Sequence, residues 1–101
     1  MKPEAKIRTE ILAYLRSLEP DVFAFRVEQR VGMQNGCSDV LAVIQGRLLA
    51  LEVKSPQGRT TALQDRFLRK ITLAGGLSAV VRSTEAVKDL LELFPKERNG
   101  A

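Results

Sequence analysis

The chain has 101 residues, 45% of them hydrophobic and 28% charged, with a net charge of +4. That suits one globular domain with one modest core and argues against a disordered chain. Histidine is absent, which excludes Ser-His-Asp triads, histidine zinc sites and histidine-based nucleases, and the single cysteine, Cys37, excludes an internal disulfide or a four-cysteine zinc site.

Residues 4–18 read as a helix, with Ile7, Ile11, Leu12, Leu15 and Leu18 at helical spacing. Pro3 fits its first turn and Pro20 stops it. Val22 to Val27 is rich in β-branched and aromatic residues and reads as a strand, followed by a loop with Gly32, Asn35 and Gly36. Gly36 is expected to supply a backbone conformation that other residues resist. Val40 to Ile44 and Leu48 to Val53 are apolar runs separated by Gln45-Gly46, the pattern of a hairpin, and Ser55-Pro56-Gln57-Gly58 ends the second run with turn chemistry.

A second helix is predicted from about Ala62 to Ala74, with Leu63, Phe67, Leu68 and Ile71 inward and Gly75-Gly76 as its stop. Leu77 to Arg82 is a further strand. Ser83 or Thr84 then caps a last helix with Val87, Leu90, Leu91 and Phe94 on its core face, closed by Pro95. Residues 1–94 form the domain and residues 95–101 a polar tail. The order α-β-β-β-α-β-α predicts an α/β fold of mixed sheet and flanking helices.

No apolar run reaches the length of a membrane span, and the N-terminus lacks the apolar stretch of a signal peptide, so an intracellular, cytoplasmic setting is expected. From Lys54 to Lys70 there are five basic residues and one acid, a local excess equal to the whole net charge. Such a zone suits either a polyanion partner such as nucleic acid or a solvated helix face. One Tyr, four Phe and no Trp argue against a broad aromatic base-stacking platform.

The hairpin yields the sharpest inference. With a two-residue loop, Ile44 faces Arg47 and paired positions sum to 91; Asp39 and Glu52 also sum to 91. Their carboxylates then lie cross-strand on one face, with Cβ atoms roughly 4.5–5.5 Å apart. A four-residue loop keeps this pairing, whereas a bulge breaks it. Like charges among apolar strands repel, and a divalent cation offsets that repulsion because hard cations take carboxylate oxygens. Lys54, two residues past Glu52, points to the same face, where its ammonium could orient a water or neutralise a phosphate. The blander alternative is a surface Glu52–Lys54 ion pair on an edge strand.

Gly36-Cys37-Ser38-Asp39, Glu52-Val53-Lys54, Gly58-Arg59, Gln64 and Gly75-Gly76, in this order, resemble the VRR-NUC domain of the PD-(D/E)xK nuclease superfamily. The resemblance spans nearly the whole chain, with Ser38 standing where the family commonly has proline. It implies a restriction-endonuclease-like αβββαβ core and a metal-dependent DNA endonuclease. Asp39, Glu52 and the main-chain carbonyl of Val53 would ligate Mg²⁺ or Mn²⁺, Lys54 would position the attacking water, and Gln64 would join the site from the second helix. Thr61 with Gln64 also reads as a capping box, and both roles can hold.

The superfamily places a first-helix glutamate near the metal. Glu4 lies on the inner stripe and Glu10 is turned away, so Glu4 is the choice, with favourable helix-dipole placement as the alternative. Arg59, Arg66, Arg69, Lys70, Arg26 and Arg30 are candidate phosphate contacts, Arg59 first. Cys37 has no histidine to activate it and reads as a half-buried loop residue. The implied setting is DNA repair, replication or mobile and phage genomes, with branched DNA such as four-way junctions as substrate. The chain is short for an added recognition domain, so structure selection is expected over sequence reading. Paired cuts predict a homodimer, with Leu77 to Phe94 as its candidate contact. The rival readings are a non-catalytic DNA-binding protein and a sequence-specific restriction-type nuclease.

Overall fold

The computed structural model describes residues 3–28 and 36–94. Its elements are α1 (Pro3–Arg16), β1 (Val22–Arg26), β2 (Val40–Ile44), β3 (Arg47–Val53), α2 (Ala62–Leu73), β4 (Leu77–Val81) and α3 (Thr84–Leu91). The order matches the sequence reading, and the ends shift by one to three residues. Pro95 and the tail lie outside the described residues.

One mixed sheet runs β1-β2-β3-β4. The first three strands pair antiparallel and β3 pairs β4 in parallel, with α2 as the crossover that parallel strands require. The hairpin register is the predicted one: Ile44 pairs with Arg47 and Val40 with Leu51. Gln45 and Gly46 both take positive φ, 53° and 78°, as a two-residue turn matched to strand twist requires.

The alternation of side chains sorts the sheet into two faces. Val22, Ala24, Val40, Ala42, Ile44, Leu49, Leu51, Val53 and Val81 point to one face and form the core with Ile11, Leu12 and Leu15 of α1, Val87 of α3, and Phe94. The opposite face is covered by α2, which packs on β3 and β4. β3 is therefore buried on both sides from Leu49 to Val53.

Two expectations change. Leu63, expected on the inner face of α2, is 51% exposed, and of the four expected inner residues only Leu68 is buried. The reason is coverage: α2 sits over half of the sheet, so its flank has no strand beneath it. The apolar residues of 77–94, expected at a dimer contact, are largely spent within the chain. Val81, Val87 and Phe94 are buried, and Leu77, Ala79, Leu90 and Leu91 pack on the core, leaving Leu93 as an exposed large apolar residue.

Gly36 has φ +77°, and a Cβ there would lie 2.3 Å from the main-chain oxygen of Leu63. Both the conformation and the contact demand glycine, because this loop end rests directly on the first turn of α2. Gly36→Ala is expected to lower stability by about 2 kcal/mol or more, read as a shifted midpoint in urea denaturation.

Candidate active site

The chemistry-bearing residues meet where β2 begins and β3 ends. Asp39 lies one step past the last hairpin pair, Val40 with Leu51, so the same register brings it beside Glu52. Its main-chain oxygen accepts from the N–H of Val27 (2.7 Å). Its carboxylate Oδ2 accepts from the N–H of Val53 (3.2 Å). Those bonds aim Asp39 at the β3 terminus.

Glu52 is 1% exposed and sits on an internal strand. The edge-strand surface pair is therefore not what the fold builds. Oε2 accepts from Gln64 Nε2 at 3.0 Å and lies 3.7 Å from Lys54 Nζ. Oε1 is buried with no hydrogen-bond partner. Buried carboxylate oxygens are normally satisfied, and one left bare points to a missing electropositive partner.

Burial is the largest influence on the Glu52 carboxyl and, with the negative charges of Asp39 and Glu4, pushes it up to about 7 from 4.5; Lys54 and the Asp39 N–H oppose this. The Cys37 thiol is pushed up as well, by burial and then by Glu52.

Gln64 caps α2 and also hydrogen-bonds Glu52. Its Oε1 accepts from the Thr61 N–H (2.9 Å), and its own N–H donates to Thr61 Oγ1 (3.1 Å), completing the capping box. Because the cap occupies the amide oxygen, the amide nitrogen is left to donate to Glu52. The helix start and the site are thus held by one side chain.

α1 contributes a link that the sequence reading overlooked. Arg8 Nη1 lies 3.7 Å from Asp39 Oδ2 and 3.9 Å from Glu4 Oε2. Glu4 is half-buried and Glu10 exposed, as the helical stripe predicts. Glu4 reaches Asp39 through Arg8. The available signal was the i, i+4 spacing of Glu4 and Arg8. Arg82 was also overlooked: its Nη1 donates to the carbonyls of Ser55 (2.6 Å) and Gly58 (2.7 Å), pinning the loop that follows Lys54.

Among the described residues no group of three Asp, Glu, Cys or His side chains stands close enough to hold a metal. The donor set for a hard cation is the pair Asp39 and Glu52, to which the Val53 carbonyl is the adjacent main-chain candidate. The bare, buried Oε1 and the repulsion between the two acids fit such an ion. Arg59 is exposed in the loop after β3; Arg66, Arg69 and Lys70 are exposed on α2, and Arg26 at the end of β1. Arg30 lies outside the described residues.

A structural comparison finds the same fold in a solved chain described as a VRR_NUC domain protein, with TM-score 0.73, 16% identity and coverage of 95% of this chain and 90% of that one. The α1-β1-β2-β3-α2-β4 order and the mixed sheet are those expected of a restriction-endonuclease-like fold. No family model and no curated protein matches the sequence.

A carboxyl whose folded value exceeds its unfolded one stabilises below the unfolded value and loses that contribution as pH rises through the folded value. Metal-free protein is therefore expected to lose stability relative to Glu52→Gln between about pH 4.5 and about 7. Above that window the variant is the more stable, by on the order of 3 kcal/mol at most. Paired thermal melts across the range in chelator read the difference; parallel curves contradict the assignment.

Proposed function

We propose that this chain, a VRR_NUC-like fold carrying a buried acid pair at the end of its hairpin, is a metal-dependent endonuclease that hydrolyses phosphodiester bonds of DNA, preferentially at branched structures such as four-way junctions. The observation that carries the reading is Glu52: a fully buried carboxylate with one bare oxygen, beside Asp39, Lys54 and Gln64. No purely structural role accounts for that arrangement, since an apolar residue at this position would satisfy the sheet without repulsion.

Asp39 and Glu52 would hold Mg²⁺ or Mn²⁺, with the Val53 carbonyl of β3 as a further donor, while Glu4 of α1 would act on the site through its ion pair with Arg8. Such an ion supplies an activated water and neutralises charge on the scissile phosphate. Hydrolysis forms one bond from the water oxygen to phosphorus and breaks one phosphorus–oxygen ester bond; the water loses a proton and the departing oxygen gains one. The residues of the chain set the stage for this exchange. Gln64 holds Oε2 of Glu52 in place, which would leave Oε1 available to such an ion. Arg8 does the same for Asp39 from the other side. Lys54, tethered to Glu52, places an ammonium where it orients the water and offsets charge building on the phosphate oxygens. Arg59, Arg66, Arg69, Lys70 and Arg26 supply the cationic contacts that hold neighbouring phosphates, a term that weakens with salt.

One acid pair serves one strand, so paired cuts at a junction call for two copies of the chain. Light scattering of the junction complex tests that stoichiometry.

Asp39→Asn and Glu52→Gln are each expected to lower the cleavage rate by roughly 10³-fold or more while DNA binding in chelator is kept or strengthened, because a negative charge facing phosphate is removed. Gel assays on linear, flap and four-way junction DNA with Mg²⁺, Mn²⁺ or chelator decide this; a wild type that binds but never cleaves is a non-catalytic DNA-binding protein.

Either ion should also stabilise the wild type, by about 2.7 kcal/mol at a hundredfold excess over Kd, and leave the double variant unmoved. Lys54→Met should keep that metal-dependent stabilisation and lose about a hundredfold or more in rate. Lost metal stabilisation in Lys54→Met would reassign the lysine to holding the ion site together.

A further inference from the structure

Among the described residues, the face of the sheet that carries Glu52 is only half covered. α2 packs on β3 and β4, leaving the β1–β2 half open. There Phe23, Phe25 and Val43 are 58%, 40% and 44% exposed. Phe23 pairs with Val43 and Phe25 with Leu41, so these side chains share one face, and the two rings stand side by side with centroids 5.7 Å apart. The same face continues through Leu41 opposite Ala50 to Glu52, two residues further along β3. Strand spacing and rise put Phe25 roughly 12 Å and Phe23 roughly 17 Å from Glu52.

We infer that Phe23 and Phe25 form a narrow stacking platform for the unpaired bases of a DNA strand entering the site. Three features select this occupant. The first is chemistry: two neighbouring exposed aromatic rings on a sheet surface offer flat π faces to successive bases. The second is charge. The outward positions of β1 and β2 beside the rings are apolar, and helical geometry sets Phe67 and Lys70 of α2 on the flank overlooking them, with Arg66 at its outer edge. Asp65 turns away and accepts from Thr60 Oγ1 instead. A base on the rings therefore has its phosphates beside cations. The third is size. The exposed parts of the two rings and Val43 amount to roughly 200–300 Å², far below the about 800 Å² per partner of a stable protein interface.

The inference deepens the phosphodiesterase reading and rests on it for where the strand is cut. It names the substrate class as DNA with unpaired nucleotides beside the scissile phosphate. Two rings make a platform a few nucleotides long, not a broad one, in keeping with the low aromatic content.

The test is binding in chelator, independent of cleavage. A short labelled single strand and the same sequence as a blunt duplex are titrated with wild type, Phe23→Ala/Phe25→Ala, Phe23→Leu/Phe25→Leu and Phe23→Tyr/Phe25→Tyr, by fluorescence anisotropy. A strand carrying a fluorescent adenine analogue reports stacking directly. Expected are a loss of about tenfold or more on the single strand for the alanine and leucine pairs, near wild-type binding for the tyrosine pair, unchanged duplex affinity, and analogue quenching that depends on the rings. Should the alanine pair fail to fold, Phe23→Ala alone carries the same comparison at the more exposed ring. Equal losses on single strand and duplex, no loss, or leucine binding as well as phenylalanine would overturn the inference. So would a wild-type dimer that the ring substitutions dissociate. Cleavage of junction or flap DNA by the wild type with Mg²⁺ is scored separately, so an inactive protein with ring-dependent strand binding refutes the nuclease and keeps the platform.

Discussion

A carboxylate buried inside an apolar sheet is the constraint around which this molecule is arranged. Glu52 is 1% exposed, on a strand covered on both sides. Taking such a group out of water is unfavourable by several kcal/mol unless it is paired, hydrogen-bonded or neutralised. Each neighbouring element answers part of that demand. Lys54 just past β3 provides an ammonium, α2 provides the Gln64 amide, and the residue before β2 provides the Asp39 N–H. What they leave unanswered is Oε1, together with the repulsion from Asp39. The remainder has the sign and hardness of a divalent cation's complement.

The geometry of the site therefore depends on contacts that look purely structural. The capping box at Thr61 fixes which end of the Gln64 amide faces Glu52. Gly36 lets the strand-entry loop lie directly on the Leu63 carbonyl, which sets the loop end carrying Asp39 against the start of α2. Arg8 ties Asp39 to the first turn of α1, and Arg82 ties the loop after Lys54 to the end of β4. Four elements converge on two carboxylates, and a small displacement of any one would be felt there.

The sheet is used unequally. One face is packed by α1 and α3 and forms the core. The other is shared between a covering helix and an open apolar strip that leads to the acid pair. A small domain with an added covering element on that strip would gain apolar burial and lose a surface bordering its site. By helical geometry Lys70 of α2 lies on the flank nearer that strip, with Arg66 at its outer edge.

Much of this was legible in the sequence because it depends on short-range rules. Strand periodicity and a two-residue turn set the hairpin register, and the register alone placed Asp39 beside Glu52. T-x-x-Q announced the α2 cap, and helical spacing separated Glu4 from Glu10. Tertiary structure decided what no local pattern encodes. The extent to which α2 covers the sheet left Leu63, Phe23 and Phe25 in solvent, although each lies in a segment of core-like composition. The strand order made β3 internal and so turned Glu52 from an ordinary acid into a buried one with its carboxyl raised. Arg8 and Arg82 entered the site because packing brings the N-terminal half of α1 and the end of β4 beside it, over separations of 31 and 27 residues from Asp39 and Ser55. Periodicity tells which way a side chain points along its own element; what stands opposite is settled only when the elements pack.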